Sequence, residues 1–325
     1  MSRKILSSFL ALFCVFVWGV TFISTKVLLR YFDPTTILIY RLCICLILLF
    51  LLSPKIFHIN RKRDELYFLG AGAFGITFYF LFENIAIKYT SASSVGIIVS
   101  LAPMFTLLFC TAVFKDQRIS INFIIGFIVA ILGIVLISFD SLKDTSEISL
   151  KGIILASCAM MCWGVYSVFV KKINILGYQG IGATRKIMYY GLICLIPFYF
   201  IMNSHLNIHS LSIPKVSLNL VFLGLVASAM CFVLWNYAVL NLGPVKCNIY
   251  LYLSPAITMI ASSIILKEKI TIIIFAGLVL SVAGLVISND LWFKKKLKDN
   301  NINGKIKEED GVINEGNTSQ DEGNI

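Results

Sequence analysis

The chain has 325 residues, of which 58% are apolar and 14% charged, and its net charge is +11. Apolar windows of about twenty residues recur along nearly all of it, more than the core of a water-soluble domain absorbs, so composition excludes a soluble globular protein and points to a polytopic membrane protein. The basic residues fall between those windows, which makes them a topology signal and argues against a nucleic-acid partner.

In chain order, the windows between charge clusters predict ten spans, at 5–25, 34–53, 66–87, 93–114, 119–139, 150–170, 181–202, 217–240, 247–266 and 270–289. Arg3 and Lys4 precede the first as they would a signal peptide, but its apolar core is too long and no small-residue cleavage site follows. At about 1.5 Å per residue each window can cross a hydrocarbon layer of about 30 Å as a helix. Their length and unbroken apolarity exclude barrel strands. The turn after the ninth is barely more than Lys267, Glu268 and Lys269, so nine or ten is the expected number. After Trp292 the chain turns polar, and residues 294–325 are expected to form a disordered cytoplasmic tail.

With the N-terminus in the cytoplasm, 17 of the 28 lysines and arginines lie on inner segments and 8 on outer ones, which favours both termini inside.

The chain also repeats itself. Trp18-Gly19-Val20 returns as Trp163-Gly164-Val165, and Lys26 as Lys171, both 145 residues on. Arg41 recurs as Arg185. Asn84 and Ala86 recur as Asn236 and Ala238, "SLAPMFT" as "YLSPAIT", and Lys115-Asp116 as Lys267-Glu268, all 152 residues on. The expected fold is therefore all-α, ten transmembrane helices in two five-helix repeats, 1–140 and 150–290. Because five is odd, the second copy enters the membrane from the opposite side. Such an inverted repeat places a site near the midplane that can be opened alternately to either face.

Trp-Gly in spans 1 and 6, the arginine in span 2, "ENIAIKYTSAS" running into "SLAP", and "LSP" with "LKEKIT" together resemble the EamA-type branch of the drug/metabolite transporter superfamily. The likeness covers about residues 5–290. It implies a secondary transporter of a plasma membrane, a bacterial one by expectation, most members exporting amino acids, metabolites or drugs and some importing them. Asp116-Gln117-Arg118 departs from the family's usual glutamate followed by a basic residue.

Candidate pathway residues are few. Trp18, with Thr21 on its face, and Trp163, with Tyr166, lie well inside their spans, where a large aromatic either lines a cavity or packs beside Gly19 and Gly164. Pro103 and Pro255 sit near the middle of spans 4 and 9 and free the carbonyls of Val99 and Leu251, which suits either a broken-helix site or a static kink. Asn84, Trp235 and Asn236 either join helices or face substrate, and Tyr79 precedes Glu83 by one turn. Gly126, Gly133, Gly277 and Gly284 read as close helix contacts. Glu83 and Arg41 lie at matching depths, roughly 7 and 10 Å below the outer ends of spans 3 and 2. An intramembrane charge pairs or lines a wet path, so either the two pair at the outer side of the pathway, with Glu83 available for a coupling proton or a cationic substrate group, or Glu83 is interfacial near Lys88 and Arg41 snorkels outward.

The nine cysteines lie in spans without zinc-knuckle spacing, no span holds a histidine, and no G-x-x-x-x-G-K-[ST] occurs. These absences argue against a membrane-embedded enzyme, a metal, a cofactor and direct use of ATP. The expected partners are a small-molecule solute, the lipid bilayer and protons as a coupling ion. In intact cells, a cysteine introduced at Thr145 should be labelled by an impermeant maleimide and one at Asn60 should not; the reverse pattern would invert the topology.

Overall fold

The computed structural model describes residues 3–55, 57–115, 121–140 and 149–288. The polar tail, the Thr145 turn and Asp116-Gln117-Arg118 lie outside the described residues. Among the described residues, seven helical stretches are long and apolar enough to cross a membrane: α1 (Arg3–Leu28), α2 (Pro34–Leu52), α3 (Lys62–Tyr89), α4 (Ala92–Phe114), α6 (Leu150–Ile175), α8 (Pro214–Leu242) and α9 (Pro244–Ile265). Shorter apolar windows lie within α5 (Ile121–Asp140) and α10 (Ile272–Ser288). The remaining long helix, α7 (Gly180–Ile201), carries Arg185 and Lys186 near its start.

Local chemistry sets the ends. Proline stands at the first position of α2, α8 and α9, where its fixed φ suits a helix and its missing N–H costs nothing. Ser91 caps α4 by accepting from Ser94 N. Lys115 and Lys267, one repeat apart, turn the chain out of α4 and α9 through left-handed φ values of 54° and 58°.

Four helices are irregular, and the irregularities match across the repeat. α3 is π-helical over Ala73–Phe78 and α8 over Phe222–Met230. α4 tightens to a 3₁₀ turn over Val99–Leu101 and α9 over Ile249–Leu253, directly before Pro103 and Pro255. Proline cannot donate to the carbonyl four residues back, so the backbone regroups there.

Glycines set the closest approaches. A Cβ on Gly133 would lie 2.7 Å from Gly277 O, and one on Gly284 would lie 2.4 Å from Ala130 N, so α5 and α10 meet backbone to backbone. Gly75 leaves room for the ring of Tyr166, joining α3 to α6, and Gly72 lets α3 touch the backbone of α7 at Ile187 and Gly191. Large apolar side chains such as Phe9, Phe16, Leu51, Ile264 and Ile272 face outward, where a lipid phase, unlike water, imposes no cost.

Gly284→Val should lower the thermal midpoint in detergent by an amount equivalent to about 1–3 kcal/mol, because the clash is with backbone that cannot swing aside. An unchanged melt would mean that α5 and α10 separate freely.

Candidate substrate cavity

The matched irregular turns converge on one place. Trp18, Thr21, Arg41, Tyr79, Glu83 and Val99 of the first half meet Trp163, Phe232, Leu251 and Ser254 of the second around a cavity of about 20 Å³, room for about one water molecule. Val99 and Leu251, the residues whose carbonyls the two prolines release, both lie on its wall.

Its walls are aromatic. Trp18 of α1 stands edge-on to Trp163 of α6 with ring centroids 5.5 Å apart, so the contact runs from one half to the other. Trp235 packs behind both, 4.9 Å from Trp18 and 6.0 Å from Trp163. Each indole N–H is satisfied, Trp18 Nε1 by Ala227 O at 2.9 Å and Trp163 Nε1 by Asn248 Oδ1 at 2.7 Å. The carbonyl that receives Trp18 belongs to the π-helical stretch of α8.

Arg41 is 1% exposed. Its Nε donates to Ser228 Oγ, again in the π-helical stretch of α8, and the face of Phe80 lies 3.9 Å from its guanidinium carbon. Glu83, 2% exposed, has the Tyr79 hydroxyl as its neighbour. The two charges attract one another but form no ion pair within 4 Å; among the described residues, Lys186 with Glu65, at 2.6 Å, makes such a contact. Of the two readings the sequence allowed, the structure shows neither a direct bond nor exposed charges: both groups are buried on the wall of one cavity. Arg185, the echo of Arg41, sits one turn inside α7, binds the carbonyls of Ser53 and Lys55 at the bundle end, and does not line the central cavity.

The other anticipated residues divide. Tyr166 packs on Trp163 with centroids 5.1 Å apart and donates to Asn236 Oδ1 at 2.9 Å; Asn236 Nδ2 donates to Thr184 at 3.0 Å. Asn236 faces a second cavity of about 300 Å³ between α6, α7 and α8, lined also by Asn174, Tyr178 and Thr184. Asn84 reaches neither cavity; it donates to Pro34 O at 3.2 Å and holds α3 to the start of α2. Sequence reasoning passed over Ser254, although it adjoins Pro255, and Thr184 and Ser228, which no motif marks.

The two ends of the bundle differ. At the end holding the α3–α4 and α9–α10 turns, the Glu268 carboxylate accepts from Ala92 N at 2.8 Å, Ser93 N at 3.1 Å and Ser93 Oγ at 2.8 Å, capping α4 from across the bundle. Lys26 Nζ ties α1 to the carbonyls of Ile87 and Thr90 at 2.9 and 2.8 Å, and Ser93 Oγ meets Ser262 Oγ at 2.5 Å. The opposite end is indented by the 300 Å³ cavity and by a neighbour of about 240 Å³ beside Lys171 and Pro244. One end is thus closed by hydrogen bonds across the bundle and the other is indented.

Known proteins place this arrangement. The sequence model of the EamA-like transporter family matches twice, over residues 5–139 and 150–289. An uncharacterized transporter of Archaeoglobus fulgidus is 28% identical over 83% of this chain and 94% of its own. A probable amino-acid metabolite efflux pump of Salmonella typhimurium is 27% identical over 89% of this chain and 95% of its own. A protein of known crystal structure superposes with a TM-score of 0.61 over 88% of this chain and 97% of its own at 15% identity, which establishes a shared fold.

Glu268→Gln should loosen the sealed end, since hydrogen bonds to a charged acceptor are worth about 1.5–3 kcal/mol each. A cysteine at Ser262, now wholly buried, should then react with a soluble maleimide roughly tenfold faster than in the parent. Equal rates would show that the carboxylate does not hold that end.

Proposed function

The chain belongs to the EamA-like transporter family and is a multi-pass membrane transporter, not an enzyme; from that premise we propose that it exports a small amino-acid-like metabolite from the cytoplasm by alternating access. The observation that carries this reading is the central cavity, built from both halves, in a bundle closed by hydrogen bonds at one end and indented at the other. The distribution of lysine and arginine favours the indented end in the cytoplasm, which supports a site loaded from inside. The efflux pump named above supports export and an amino-acid-like solute.

In this reading ten helices cross the membrane as two inverted five-helix repeats. Support comes from the matched π-helical stretches of α3 and α8, the matched 3₁₀ turns of α4 and α9, and the seam of α5 and α10. Opening the opposite end requires release of the Glu268 cap and closure of the gap beside Tyr166, Asn236 and Thr184. Export against a gradient needs a coupling ion. Glu83, a buried carboxylate on the cavity wall, is placed to exchange a proton for a substrate ammonium.

Proteoliposomes loaded with unlabelled amino acids should accumulate the matching labelled one by counterflow, faster with a pH gradient than without. Glu83→Gln should slow exchange, because the ammonium loses its partner, and should lose the acceleration by the pH gradient. Accumulation of none of a panel of amino acids, or full pH-gradient stimulation in Glu83→Gln, contradicts the respective part of the proposal.

A further inference from the structure

We propose that the central cavity is a site for a zwitterion with an apolar side chain: Arg41 takes the carboxylate, Glu83 takes the ammonium group, and Ser254 donates to the bound carboxylate. The assignment deepens the transport reading above and rests on it.

The first observation is that two opposite charges are buried side by side and yet not bonded to each other. Two ions taken out of water ordinarily pair directly, because in an apolar interior their attraction is the main compensation for lost hydration. Here Arg41 draws a single hydrogen bond among the described residues, from Nε to Ser228, and stacks one face on Phe80. The edge carrying its two terminal nitrogens is left for the cavity, which is the edge that grips a carboxylate with two parallel bonds. Glu83 has the Tyr79 hydroxyl beside it and faces the same cavity. A positive and a negative wall a short way apart are the complement of a molecule that carries both charges.

The second observation is independent. Ser254 is 1% exposed, lies on the cavity wall, and its Oγ has no hydrogen-bond partner. A buried hydroxyl left unsatisfied is unfavourable, so a position that retains one is expected to satisfy it in another state of the protein. The corresponding residue of the first half is Ala102, which lines the same cavity with no polar atom on its side chain. Glu83 likewise corresponds to Trp235, 152 residues on. The polar groups are therefore placed asymmetrically, as one oriented solute requires and a symmetric scaffold does not.

The third is the rest of the wall. Trp18, Phe22, Trp163, Phe232 and Leu251 offer rings and methyl groups, so the substrate's remainder is apolar. Room for one water does not hold an amino acid, and the walls must part. The contact that parts is the Trp18–Trp163 edge between the halves, so occupancy and movement of the halves are linked.

Leucine, 3-methylbutylamine, which lacks its carboxylate, and 4-methylpentanoate, which lacks its ammonium, separate the subsites. Binding is read from tryptophan fluorescence of the full chain in detergent, and transport from counterflow. Leucine should bind at least tenfold better than either analogue. Arg41→Gln should abolish the preference over the amine while keeping that over the acid; Glu83→Gln should do the opposite. Arg41→Lys, which keeps a charge should the neutral variant misfold, should retain part of the preference. Ser254→Ala should weaken leucine binding several-fold with an equal or higher thermal midpoint, since the free protein loses no bond there. Equal binding of all three compounds, or variants that weaken all three alike, overturns the assignment even if transport is observed. Intact binding selectivity without transport of any amino acid would uphold the subsites and overturn the function.

Discussion

A full positive charge held inside an apolar bundle is the constraint around which this molecule is arranged. Arg41 cannot shed its proton and cannot reach water, so the protein must supply its neighbours. Those neighbours come from two helices bearing π-helical stretches. Ser228 lies within that of α8, and Phe80, Tyr79 and Glu83 follow that of α3 at once. A π turn inserts residues into the helical period and rotates everything beyond it onto another face, which is how side chains from both halves come to surround one guanidinium. The small 3₁₀ turns before Pro103 and Pro255 complete the enclosure with backbone.

The repeat supplies the frame, and departures from it supply direction. Where the first half has Glu83 the second has Trp235, and where the first has Ala102 the second has Ser254. The ends depart too. Glu268 seals one end by accepting from the N–H groups of Ala92 and Ser93 and the Ser93 hydroxyl. The residues that correspond to Ala92 and Ser93 in the second half are Pro244 and Val245, which offer one N–H fewer and no hydroxyl. The bundle is indented at that end.

Much of this was legible in the sequence, for a physical reason. Span positions follow from apolar length, and the matching depths of Arg41 and Glu83 follow from counting 1.5 Å per residue from the span ends. Trp18 and Trp163 stood out because large aromatics so deep in a span need a reason, and both line the cavity. What the sequence hid was rotation about the helix axes. Asn84 adjoins Glu83 but points toward the start of α2, and Asn236 adjoins Trp235 but faces the outer cavity of the indented end. A regular period of 3.6 cannot separate such neighbours once a π turn has shifted the face. Arg185 differs from Arg41 for a simpler reason: near a helix end it finds the carbonyls of Ser53 and Lys55, whereas Arg41, deeper in its helix, does not.

Alternating access requires that one site be exposed to the two ends in turn. Spin labels at Lys88 and Lys269 span the sealed end, and labels at Gln179 and Asn241 span the indented one. Pulsed electron–electron distance measurement on the same protein in lipid, with and without leucine, follows both. For alternating access, leucine should lengthen the Lys88–Lys269 distances and shorten the Gln179–Asn241 distances in a matched fraction of molecules. Distributions that widen together at both ends, or that stay fixed at both, would contradict it.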